Sequence, residues 1–164
     1  MRVQTAGCAK HFAVHDGPED QRESIVYNVS LFDAWDTYLP AFRAVVTQAN
    51  VAQVMCAYSA VNASGGAPDC ANPWLLQTVL REAMGFKGMV ISDNGALEFI
   101  TNPHHFTPDA LHAAGVAMNA GTDSDLGAWG GPCGVCARVG RGLGAGGGGA
   151  GVGAPMHWVL EGAQ

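Results

Sequence analysis

The chain has 164 residues, 48% of them hydrophobic, and a formal net charge of -6 at pH 7. Its eight Lys and Arg are scattered singly, so there is no basic patch to hold a nucleic-acid backbone, and no apolar run approaches the roughly 20 residues of a spanning helix. Composition therefore predicts a soluble chain with neither nucleic-acid nor membrane partners.

Glycine divides the sequence in two. Residues 1–126 hold nine of the 23 glycines and residues 127–164 hold fourteen, including the run Gly146 to Gly149. A tail so poor in large apolar side chains cannot bury enough surface to offset its chain entropy. Residues 1–127 are thus expected to carry the fold, and residues 128–164 to form a disordered Gly-rich low-complexity tail. The first residues, Met1 to Thr5, lack the apolar stretch of a signal peptide.

Taken in chain order, the first element is a strand over about Cys8–Phe12. Ser30 then caps a helix running from Leu31 toward Ala49, with Asp33 as its capping-box partner and Pro40 expected to kink or split it. Phe32, Trp35, Leu39 and Phe42 fall on one face of that helix. A second strand spans Val51–Tyr58. Asn72 and Pro73 supply a cap and first turn, Trp74, Leu75, Leu76, Val79 and Leu80 the buried stripe, and Gly85 the stop. A third strand covers Gly88–Ser92, Thr107-Pro108-Asp109 starts another helix that Gly121 ends, and a short fourth strand lies near Thr122–Leu126.

This βαβαβαβ order predicts an α/β fold, half of the eight-unit (β/α)8 TIM barrel that typically needs about 250 residues. Half a barrel leaves a parallel sheet with an open edge, expected to be unstable or sticky unless another segment completes it.

In parallel α/β folds the carboxyl ends of the strands face the site. Those ends carry Lys10-His11, Met55-Cys56-Ala57-Tyr58, Ser92-Asp93-Asn94, and Asp123 with Asp125. Cationic and imidazole donors, a phenol and a carboxylate together suit a sugar. Neither a phosphate-binding Gly-rich turn nor a GxSxG elbow follows a strand, which argues against nucleotide and esterase chemistry. The five cysteines form an odd set, so at least one stays unpaired or bonds outside the chain. Cys133 and Cys136 make a CxxC with only His157 nearby, and His104 and His105 sit in a loop; neither group is expected to bind metal.

In order along the chain, Lys10-His11-Phe12, the stretch Asp36 to Phe42, Val54-Met55-Cys56-Ala57-Tyr58 through Asn62, and Gly85 to Asp93 resemble the barrel domain of glycoside hydrolase family 3, with Ala120 to Asp123 as a weaker fifth block. The resemblance covers about residues 6–127 and implies the C-terminal half of the barrel. It implies that Asp93 is the nucleophile of a retaining exo-β-glycosidase, of β-xylosidase or β-glucosidase type, acting on small oligosaccharides or aryl β-glycosides in polysaccharide catabolism. Lys10, His11, Met55 and Tyr58 then line the sugar subsite, and Arg22 resembles an arginine of the β-xylosidase branch. No metal or organic cofactor is implied.

The same resemblance exposes what is not found. The acid/base carboxyl that protonates the leaving oxygen is expected from a second α/β domain absent from this chain, and His15 matches a different position from the catalytic histidine of single-domain members. The upstream half of the barrel is missing, Asn94 departs from the Trp or Cys usual after the nucleophile, and similarity stops after Leu126-Gly127. The expectation is a fragment of a secreted enzyme, with Asn28-Val29-Ser30 and Asn62-Ala63-Ser64 as sequons consistent with secretion. The rival readings are an inactive remnant or weak carbohydrate-binding module, and an interaction module built on the tail and the free strand edge.

Overall fold

The computed structural model describes residues 5–127. Its centre is a three-stranded parallel sheet in the order β1 (Cys8–Phe12), β3 (Gln53–Cys56), β5 (Met89–Ser92). Parallel strands covered on both faces read as continuous apolar runs. Val54, Cys56 and Val90 accordingly have no exposure. Cys8 pairs with Gln53 and Phe12 with Cys56, with a register shift between Ala9 and Phe12, while Gln53 to Cys56 pair in step with Met89 to Ser92. A second, two-stranded parallel sheet joins β2 (Val26–Tyr27) to β4 (Ala60–Val61), a pairing too short to leave a sequence signal.

The predicted helices form, with revised interiors. Ser30 Oγ accepts from Asp33 N at 3.0 Å and starts α1 (Leu31–Asp33), which runs through a π-helical stretch, Ala34–Tyr38, into α2 (Leu39–Thr47). Pro40 has no N–H for the helical ladder, and the helix changes form directly before it, from the π-helical stretch to α2, at the place where a kink or split was expected. Leu39 is 1% exposed and Phe42 packs edge-on against Phe12 at 5.0 Å, but Phe32 and Trp35 on the same stripe stay 74% and 40% exposed. Asn72 Oδ1 accepts from Leu75 N at 3.2 Å, and the following helix, Trp74–Ala83, is π-helical, with Leu75, Leu76, Val79 and Leu80 all buried in the hydrophobic core. A helix the periodicity did not indicate, α3 (Ala96–Thr101), precedes α4 (Ala110–Ala120), which Asp109 caps by accepting from His112 N and Gly121 ends at φ 111°.

The fourth predicted strand is reduced to a single parallel bridge between Ile91 and Ser124. Asp123 Oδ2 accepts from Val90 N at 2.7 Å, so a side chain takes the donor that a regular ladder would have used. The tail 128–164, with the Cys133/Cys136 pair and His157, lies outside the described residues.

One covalent and one steric feature hold the strands against the segments around them. Cys56 at the end of β3 is disulfide-bonded to Cys70, in a short turn (Asp69–Ala71) before the π-helix, and both are buried. The cysteine count had left this pairing open. Gly88, at the entry to β5, stands so close to the Ala52 carbonyl and the Phe86 ring that a Cβ has no room.

Candidate active site

The carboxyl ends of β1, β3 and β5 bring His11, Tyr58 and Asp93 together. Asp93 follows β5 directly, is 8% exposed, and donates its N–H to the Cys56 carbonyl at 3.1 Å, which fixes its backbone against β3. Its Oδ1 accepts from Asn94 N at 2.8 Å. Oδ2 is buried without an aligned hydrogen bond among the described residues, although His11 Nε2 lies 3.2 Å away and Arg22 Nη2 3.9 Å away. One carboxylate oxygen is thus anchored while the other faces two nitrogen donors at ion-pair distance.

Tyr58, 9% exposed, packs its ring edge-on to Phe99 at 5.1 Å and donates its hydroxyl to the Asn94 carbonyl at 2.9 Å. Arg22 stacks over that ring at 4.9 Å while pairing with Glu19 at 2.7 Å, so the loop between β1 and β2 folds back onto the site. Burial, helped by the charge of Asp93, pushes the Tyr58 hydroxyl up to about 12, so it acts as a neutral donor. Burial also holds His11 below the usual histidine value despite the opposing pull of Asp93, which keeps its ring neutral near pH 7. Met55 is buried in β3 opposite Ile91. Lys10 is exposed and influences His11 through its charge.

Two residues outside the expected set join the cluster. The His15 ring lies 5.1 Å from that of His11 and 6.4 Å from that of Tyr58, and burial followed by the Arg22 charge holds it below the usual value. His104 Nε2 lies 2.7 Å from the Tyr58 carbonyl, giving that histidine a supporting place. Position along the chain offered no signal for His104, because α3 separates it from its strand. Asp123 and Asp125 are structural: Asp123 pairs with Arg81 at 2.8 Å, and Asp125 Oδ1 accepts from Ser92 Oγ at 2.9 Å. Among the described residues no group of three or more His, Cys, Asp or Glu is arranged to hold a metal ion.

This cluster lies within a stretch with clear relatives. Residues 2–128 match the family model described as the Glycosyl hydrolase family 3 N terminal domain. The chain belongs to glycosyl hydrolase family 3. It is 43% identical over 121 residues to a xylan 1,4-beta-xylosidase of Xylanibacter ruminicola, the match covering 73% of this chain and 14% of that protein. A probable exo-1,4-beta-xylosidase of Aspergillus clavatus is 44% identical over 133 residues, covering 77% of this chain and 17% of that protein. The chain therefore spans about a sixth of the length of the curated relatives it matches.

Solved structures agree. A GH3 exo-beta-xylosidase (XlnD) in complex with a xylobiose aziridine activity-based probe matches with a TM-score of 0.68 and 35% identity over 72% of this chain and 16% of that chain. A beta-glucosidase from Listeria innocua in complex with glucose matches with a TM-score of 0.67 and 37% identity, covering 76% of this chain and 17% of that one. The α/β fold is shared with these family members.

Proposed function

We propose that the chain supplies the nucleophile half of a retaining exo-β-glycosidase of β-xylosidase or β-glucosidase type, acting on small oligosaccharides or aryl β-glycosides in polysaccharide catabolism. The observation that carries this reading is Asp93, anchored through Oδ1 and its own N–H while Oδ2 faces His11 and Arg22 at the carboxyl end of the sheet.

In this reading residues 1–127 are about the C-terminal half of a (β/α)8 barrel, residues 128–164 are a separate Gly-rich tail, and the intact protein is extracellular. An oxygen of Asp93 attacks the anomeric carbon and forms the glycosyl ester. The bond to the glycosidic oxygen breaks, and that oxygen leaves with the electron pair and takes a proton from an acid/base carboxyl contributed by a second domain. Water, deprotonated by the same group, then displaces Asp93. Lys10 and His11 donate to sugar hydroxyls, Met55 and Tyr58 line the subsite, and Arg22 offsets charge on Asp93 while the neutral Tyr58 ring supports it.

An activated aryl 2-deoxy-2-fluoro-β-xyloside tests the proposal, because its intermediate hydrolyses slowly enough to be weighed. Intact-mass analysis should find one sugar adduct, mapping to the peptide with Asp93. A folded chain that binds xylose but is never labelled would favour a weak carbohydrate-binding module over an enzyme.

A further inference from the structure

Asp69 has no exposure and lies in the turn before the π-helix, outside the set of residues assigned to sugar. Its Oδ2 accepts from Ala13 N at 3.4 Å and lies 3.0 Å from Ser59 Oγ, and its own N–H donates to the Ser59 carbonyl at 2.8 Å. Ser59 Oγ also lies 2.9 Å from the Val14 carbonyl. Ala13 follows His11 by two residues, and Ser59 follows Tyr58 directly. One carboxyl therefore joins the segment leaving β1 to the segment leaving β3, beside the two side chains that flank Asp93.

Proton counting identifies the form that does this. Ser59 has one hydroxyl proton and faces two acceptors, the Val14 carbonyl and Asp69 Oδ2. Both contacts are hydrogen bonds when Asp69 carries its own proton: the acid donates to Ser59 Oγ, and Ser59 donates to Val14. Burial favours that form, holding the carboxyl well above the usual carboxylate range against the smaller opposing effects of Ser59 and Ala13. Oδ1 is enclosed with no hydrogen-bond partner among the described residues, which a neutral group tolerates far better than a charged one. Tyr27 is a titratable neighbour, its own hydroxyl raised chiefly by burial.

We propose that Asp69 is a positioning residue for the Asp93 site, its carboxyl clamping the segments after β1 and β3 so that His11 and Tyr58 stand on either side of the nucleophile. The functional meaning rests on the sugar-site reading given above, but the clamp itself is a statement about geometry. Asn keeps only one of the two contacts, because both run through Oδ2: an amide nitrogen placed there donates to Ser59 Oγ but leaves the Ala13 N–H without its acceptor. Asp69→Ala removes both side-chain links, and Ser59→Ala removes the side-chain link to Asp69 together with the Ser59–Val14 bond, the backbone bond from Asp69 N–H to the Ser59 carbonyl remaining in both.

The test is the His11 titration, read from imidazole 15N NMR of the full chain, because the shifted value of His11 depends on its enclosure and on Asp93, Lys10, His15 and Arg22, all of which the variants retain. Asp69→Ala and Ser59→Ala should raise the His11 midpoint by about 0.5 pH units toward the free-histidine value, whereas Asp69→Asn, which keeps the Ser59 contact, should raise it by less than Asp69→Ala. Ser59→Ala deletes one hydroxyl and keeps the test open if Asp69→Ala does not fold. Unchanged midpoints in the Ala variants would reduce Asp69 to a space-filling residue and overturn the proposal, as would a shift in Asp69→Asn as large as that in Asp69→Ala. No turnover is needed, so a parent chain that resists the fluoro-xyloside would defeat the glycosidase reading without touching this one.

Discussion

Nε2 of His11 lies 3.2 Å from Oδ2 of Asp93, so an imidazole from β1 meets a carboxylate from the end of β5 across the intervening strand. If the pair orients the nucleophile, His11→Ala should slow labelling of Asp93 by the fluoro-xyloside about 10- to 100-fold, the usual cost of misplacing a reacting group. The protein should stay folded, since His11 is partly exposed. Labelling at the parental rate would remove His11 from the site.

The titrating groups predict a stability curve with two declining sides. Burial holds His11, His15 and His104 below the ordinary 6.5, so the unfolded chain binds their protons more readily. Their contribution is fully present above about 6.5 and is lost as pH falls through the lower folded values. Asp69 acts in the opposite sense: its folded value is raised above 3.8, so its contribution is present at low pH and is lost as pH rises through that raised value. Urea midpoints measured across pH should show Asp69→Asn removing the decline on the rising-pH side while leaving the acid-side decline in place. Superimposable curves for parent and variant would contradict this assignment.

The Cys56–Cys70 disulfide closes a loop with a sequence separation of 14 and ties β3 to the turn that carries Asp69. Cys70→Ala should cost about 2–4 kcal/mol in denaturant unfolding, as for other short closed loops. Because the Cys56 carbonyl receives the Asp93 N–H, the same variant should also slow labelling of Asp93. A urea midpoint unaffected by both the substitution and a thiol reductant would show that the bond contributes nothing.

Two glycines give opposite signs for one substitution. A Cβ at Gly88 meets the Ala52 carbonyl and the Phe86 ring, so Gly88→Ala should destabilise by about 1–3 kcal/mol through overpacking. Gly115, inside α4, has open space where its Cβ would stand, so Gly115→Ala should stabilise by about 0.5–1 kcal/mol through helix propensity. Thermal denaturation of the pair, beside the parent, decides both.

Much of the frame was legible along the chain because its signals are local. Ser30, Asn72 and Asp109 each accept from a backbone N–H three residues on, and those bonds depend on the sequence immediately around them. The apolar runs Val51–Tyr58 and Gly88–Ser92 read as buried parallel strands for the same reason, and strands form within them at Gln53–Cys56 and Met89–Ser92. The expected fourth strand failed because one side chain, Asp123, took a backbone donor, a competition that hydrophobicity does not register. The stripe through Phe32 and Trp35 has helical spacing, but spacing says nothing of whether a partner surface lies opposite.

The candidate site divides in the same way. By itself the sequence determined which polar residues end the strands, His11, Tyr58 and Asp93, and the family blocks that contain them, because side-chain periodicity and strand ends are properties of consecutive residues. The tertiary structure decided their mutual distances, the stacking of Arg22 on Tyr58, the support from His15 and His104, the pairing of Cys56 with Cys70, and the burial of Asp69 between two strand ends. Each of these joins segments far apart in the chain, and such contacts are fixed by packing and desolvation when the sheet assembles rather than by any local pattern.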